Sequence, residues 1–164
     1  MQLRSRARKI LPMAEVESLI QGSDKLTSIF GYWPSFHDAE VIEIHYSRGD
    51  VDPDNGQYIF PVLTAKFHLW EITKEVNPEG YFVLQYHTLA RLRFYDVDDF
   101  KMEGFNYQNA ILGLRVTSHE RSEAPSPSFD VQFEAAFGMS ASFRCLRIEV
   151  VDAVTCTKNG KVCA

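Results

Sequence analysis

Phe129-Asp130-Val131-Gln132-Phe133-Glu134-Ala135-Ala136-Phe137 decides the fold, because apolar side chains at every second position alternate with Asp130, Gln132 and Glu134. Successive side chains of a strand point to opposite faces, so this pattern predicts a strand with one face on a core and the other in water. Downstream, Leu146, Ile148, Val150 and Val154 alternate in a last strand, expected to pair with its predecessor across Gly138-Met139-Ser140. Phe129, Phe133, Phe137, Leu146, Ile148 and Val150 are the residues expected to face the core.

Upstream, Glu123-Ala124-Pro125-Ser126-Pro127-Ser128 reads as a loop, Ile111 to His119 as a strand, and Asp98 to Asn109 as an irregular stretch. Residues near 57 to 72 and 81 to 96 form two long β segments, with Ala65, Phe67 and Leu69 sharing a face of the first and Phe82, Leu84 and Tyr86 a face of the second. Asn77-Pro78-Glu79-Gly80 joins them as a hairpin, since proline fixes φ and glycine accepts positive φ. In a first strand from Ala39, Ile42, Ile44 and Tyr46 alternate with Glu43 and His45; Asp50 to Gly56 then makes a turn.

Two short helices precede the sheet. Pro12 suits a first helical position, with Val16, Leu19 and Ile20 on one face and Gly22 as the stop. Ser23 is placed to cap the second, which carries Asp24 at its start, an apolar stripe of Leu26, Ile29 and Phe30, and Gly31 at its end. Short turns rather than crossover helices separate the strands, which predicts an α+β fold: a mainly antiparallel sheet or half-barrel of five to seven strands with short N-terminal helices. The whole chain, 1–164, reads as a single domain, with 1–11 as a flexible basic arm.

Arg4, Arg6, Arg8 and Lys9 make the first nine residues basic, which leaves 13 basic against 22 acidic side chains elsewhere, a balance of −9. Such a body repels phosphate backbones and anionic membranes and favours a basic protein partner. Glu15 and Glu17 interrupt the apolar run that a secretory signal would need, and no window resembles a membrane span. Cys145, Cys156 and Cys163 are odd in number and confined to the C-terminal part, unlike a disulfide framework, so a reducing cytoplasm is expected.

Candidate chemistry is thin. Asp50, Asp52 and Asp54 imitate a calcium loop, but Gly56 falls at its seventh position and Pro61 at the twelfth, where glycine belongs at the sixth and glutamate at the twelfth. Asp96, Asp98, Asp99 and Glu103 read as a solvated acidic cluster able to serve as a binding surface rather than as ligands or an acid–base pair. His45, His68 and His87 fall on three expected strands without ligand spacing, and read as partly buried, hydrogen-bonded histidines. Cys145 lacks the basic or helix-terminal setting of an activated thiolate. No metal, cofactor or catalytic set is expected.

Phe30-Gly31-Tyr32-Trp33-Pro34-Ser35-Phe36-His37-Asp38, set between a helix and the first strand, resembles the Trp-Pro-x-Phe-His-Asp signature of the bacterial Immunity protein 50 family. Phe105-Asn106-Tyr107-Gln108-Asn109, entering a later strand, resembles a second family feature. The resemblance covers most of residues 25 to 155 and implies a cytoplasmic protein, encoded beside a polymorphic toxin, that binds the toxin without catalysis. It says nothing of the basic arm. Within the motifs, Trp33 and Pro34 are expected to fix a buried bend, and His37, Asp38, Asn106, Gln108 and Asn109 to satisfy backbone groups where helix or loop gives way to strand. The alternatives are an interaction or scaffold domain with another partner and, behind it, a small-molecule hydrolase.

Overall fold

The computed structural model describes residues 13–121 and 124–163, so the basic arm, Pro12 and Glu123 lie outside the described residues. In chain order it contains α1 (Met13–Glu17), α2 (Asp24–Phe30), β1 (Glu40–Ser47), β2 (Asp50–Val51), β3 (Tyr58–Ile59), β4 (Val62–Val76), β5 (Phe82–Tyr95), β6 (Asp98–Glu103), β7 (Ile111–His119), β8 (Ser128–Ala135), β9 (Ser140–Cys145) and β10 (Arg147–Thr155). The structure is mostly antiparallel sheet, as the alternation predicts, but its strands form two four-stranded sheets, ordered β1-β4-β5-β10 and β6-β9-β8-β7, plus the small β2-β3 ribbon.

Aromatic side chains join the two sheets. Phe67 of β4 meets Phe133 of β8 edge to face at 5.4 Å between ring centroids, and Phe94 of β5 meets Phe143 of β9 at 4.9 Å. These offset geometries suit the ring quadrupoles and fill the space between layers. Val16, Ile20, Leu26 and Phe30 add the helices to the same buried cluster. Gly31 ends α2 in the left-handed conformation, its N–H donating to the Thr27 carbonyl at 2.8 Å. Ser23 does not cap: its backbone is already helical and its hydroxyl makes no capping bond.

The departures from expectation have local causes. Among the described residues ten strands replace five to seven, because the chain forms the two-residue β2 and β3 and because β6 and β9 are separate strands. Asp98–Glu103 is therefore strand, not irregular chain. The segment following Gly138 is β9, whose Ala141, Phe143 and Cys145 are buried and which pairs with β8; β10 crosses to the other sheet and pairs with β5. Leu146 sits at that crossover, exposed, and Phe137 lies past the end of β8 at 50% exposure, so neither joins the core; Phe129, Phe133, Ile148 and Val150 do. Ala135, the last residue of β8, is exposed too.

Bulges explain the rest. An irregularity between Val41 and Glu43 gives the buried position of β1 to Val41 and leaves Ile42 and Tyr46 exposed. In β5, Tyr86 adopts φ 54° where the register slips between Thr88 and Gln85. Beyond that point the long hairpin outruns the core, and Phe82, Leu84 and Tyr86 are exposed, Phe82 by 61%. Its turn is as expected: the Gly80 N–H donates to the Asn77 carbonyl at 2.9 Å and the Tyr81 N–H to Asn77 Oδ1 at 2.8 Å.

Candidate functional site

The two sequence motifs meet. Trp33, Pro34 and Phe36 are buried, and the Trp33 ring lies 5.8 Å from Phe36, which in turn packs on Phe67 of β4. This turns the chain sharply, with Phe36 and Asp38 both at positive φ, so that the Asp38 N–H donates to the Ile111 carbonyl at 2.9 Å and the Ile111 N–H to the Ala39 carbonyl at 3.0 Å. A backbone bond from Val41 to the Asn109 carbonyl continues the seam at 2.9 Å.

Asn109, only 3% exposed, locks the second motif. Its Oδ1 accepts the Asn106 N–H at 2.8 Å, its Nδ2 donates to the Asn106 carbonyl at 2.7 Å, and its own N–H donates to the Glu40 carboxylate. Asn106 in turn donates to the Gly104 carbonyl at 2.8 Å and accepts from the Gln108 N–H at 3.0 Å. Gly138 completes the packing from the β8–β9 turn: a Cβ there would come within 2.2 Å of the Gln108 carbonyl oxygen. Both asparagines thus bond to backbone groups. His37 and Asp38 instead face each other, Nδ1 to Oδ2 at 3.0 Å, both partly exposed.

The seam forms one wall of two open grooves that share Trp70 and Ile72 of β4. One, of about 380 Å³, is lined by Asp38 and Gln108 from the motifs, by Glu40 of β1 and by Phe82 and Leu84 of β5. The other, of about 220 Å³, is lined by Phe30, Tyr32, Pro34, His37 and Glu71. Glu71 accepts hydrogen bonds from Tyr32 Oη and Gln85 Nε2, first the tyrosine and then the amide holding its carboxyl below the usual carboxylate range. The same bond raises the Tyr32 hydroxyl. The sequence marks Leu84 only as one face of a strand and gives no sign of Trp70, Glu71 and Ile72 as groove residues, although β4 and β5, at 15 and 14 residues, are far longer than the core needs.

The four acidic residues do not gather at one place: Asp96, Asp98 and Asp99 lie at the opposite end of β5, whereas Glu103 closes β6 beside Gly104, whose carbonyl accepts from Asn106 of the seam. Asp98 pairs with Arg144 at 2.6 Å and Asp99 with Lys101 at 3.2 Å; Glu103 is exposed and Asp96 half-buried. The near end of the grooves, at Glu40 opposite His68 and Leu89, is six residues along β5 from Tyr95, which at strand rise puts Asp96 roughly 20 Å from it.

His68 and His87 do come together, Nε2 to Nδ1 at 3.2 Å, with the Trp70 ring against both. His45 stays apart and exposed on β1. Burial holds both paired rings below the ordinary histidine range, with the positive charge of His87 adding to the effect on His68. Among the described residues no three His, Cys, Asp or Glu side chains converge as metal ligands. Asp52 accepts bonds from Asp54 N–H at 2.9 Å and Asn55 Nδ2 at 3.1 Å within a polar hairpin turn. Burial pushes the Cys145 thiol up to about 12, which leaves it protonated and unreactive at neutral pH. Among the described residues no helix is long and apolar enough to cross a membrane.

The model of the family Immunity protein 50 matches residues 22–155, most of the chain and both motifs. The chain belongs to the Immunity protein 50 family. Neither the curated proteins nor the solved structures contain a match. Membership gives the seam a context: Trp33 to Asp38 and Asn106 to Asn109 lie within the matched span, and the fold brings them side by side although some seventy positions separate them.

Proposed function

We propose that this protein binds a cognate bacterial toxin in the cytoplasm and neutralises it by occupying its surface, without catalysis of its own. The observation that carries this reading is the family membership, which spans most of the chain. The chemistry of the described surface supports it: open grooves rather than an enclosed substrate cavity, and a thiol held in its inert form. The acidic excess favours a partner that is basic at the contact. Within this reading Asp96, Asp98, Asp99 and Glu103 add to long-range attraction, while Trp33, Pro34, His37, Asp38, Asn106, Gln108 and Asn109 set the shape of the body.

The test is co-expression with the C-terminal domain encoded by the neighbouring open reading frame. That domain alone should arrest growth, and this protein should restore it while forming a stoichiometric complex. Arrest that persists in the presence of the folded protein, with no complex on mixing, overturns the reading.

A further inference from the structure

We propose that the outer half of the β4–β5 hairpin is the docking surface, and that the partner inserts an apolar side chain ringed by lysine or arginine into the paired grooves around Trp70. The inference rests on the immunity reading for the existence of a partner and goes beyond it by naming the surface and the chemistry that fits it.

Pairing of β4 with β1 ends at His68 opposite Glu40, and pairing of β5 with β10 ends at Thr88 opposite Thr155. Past these rungs the hairpin is a ribbon of two strands paired with each other. A two-stranded ribbon is marginal in water, and it is weaker still when its apolar side chains face solvent. Here the cross-strand pairs Ile72–Leu84 and Val76–Phe82 stand exposed, next to a half-buried Trp70. An apolar patch of this kind on a soluble surface, centred on a tryptophan and backed by a fixed wall, has the anatomy of a contact hot spot.

Charge selects the occupant. Asp38, Glu40 and Glu71 line the two grooves, and among the described residues no lysine or arginine does. Glu71 is a carboxylate at neutral pH like any ordinary glutamate, and Tyr32 and Gln85 donate to it. An apolar centre with an anionic border repels nucleic acid and complements a protein surface with an apolar projection among cationic side chains. Pro34 and His37 on one side and Gln108 on the other tie the grooves to the family motifs, so the conformation of the seam sets the width of the site.

The experiment measures affinity of the purified C-terminal domain encoded by the neighbouring open reading frame for the full chain and two variants, Trp70→Ala and the double variant Ile72→Ser/Leu84→Ser. The double variant replaces exposed side chains, so its folding is independent of the core. Both variants should bind at least about 30-fold more weakly with an unchanged far-UV spectrum, and hydrogen exchange of the wild type should slow on binding over residues 70–76 and 82–86. Wild-type affinity in the double variant places the contact elsewhere and overturns the surface while the immunity reading stands. Failure of the wild type itself to bind removes the immunity reading and the surface with it. A concentration-dependent dimer that the same substitutions abolish assigns the patch to self-association and also overturns the proposal.

Discussion

Asn109 shows how one side chain can hold two distant parts of a chain in register. Its amide serves both Asn106 backbone groups while its main chain reaches Glu40 and Val41 across the seam. Removing the amide leaves the partly buried Asn106 N–H and carbonyl without their partners and opens a buried position, so Asn109→Ala should cost about 1–3 kcal/mol in urea unfolding. The asparagine-rich motif made its capping role legible; that its partner would be the segment from Asp38 to Val41 was not, because hydrogen-bonding capacity is a local property and the identity of the partner is not. The His68–His87 pair carries a pH dependence of definite sign. Burial lowers both rings below the ordinary histidine range, so as pH falls the unfolded chain takes up protons first. The stability tied to the pair is complete above that range and is lost as pH falls through it. The melting temperature should decline between pH 7.5 and 5.5, and His87→Gln should flatten that decline.

At the scale of the element, the β4–β5 hairpin is two structures in one. Its inner half buries Ala65, Phe67, Leu92 and Phe94 between the sheets, whereas its outer half leaves the core. Leu92→Ala should therefore cost about 2–5 kcal/mol, and Leu84→Ser no more than about 1 kcal/mol, read as shifts of the denaturant midpoint at constant slope. In β5 the apolar residues of the outer half, Phe82, Leu84 and Tyr86, keep the same alternate positions as Ala90, Leu92 and Phe94, which is why they read as one strand face in the sequence. Period-two patterning reports which residues share a face; it does not report how far the opposing layer extends. The same reason misplaces Phe137 and Leu146, which continue an alternation beyond the ends of their strands.

For the molecule as a whole, the acidic excess of −9 outside the first nine residues should speed association with a basic partner and make the rate fall as salt rises. Asp98 and Asp99 already lie against Arg144 and Lys101, so replacing both by Asn should slow association by less than about threefold at low salt in stopped-flow mixing, and leave dissociation unchanged. A larger effect on dissociation would put the acidic cluster inside the contact. Much of this protein was written locally: alternation, turn residues and the aromatic-rich composition sufficed for a mostly antiparallel sheet, the β4–β5 hairpin, the face of Phe129, Val131 and Phe133, and two motifs recognisable at sight. Those features follow from stereochemistry within a few residues. The division into two sheets, the crossing of β10 to β5, the meeting of the two motifs and the bare outer hairpin with its grooves depend on which distant surfaces exclude water together, and that was decided only when the chain closed on its aromatic core.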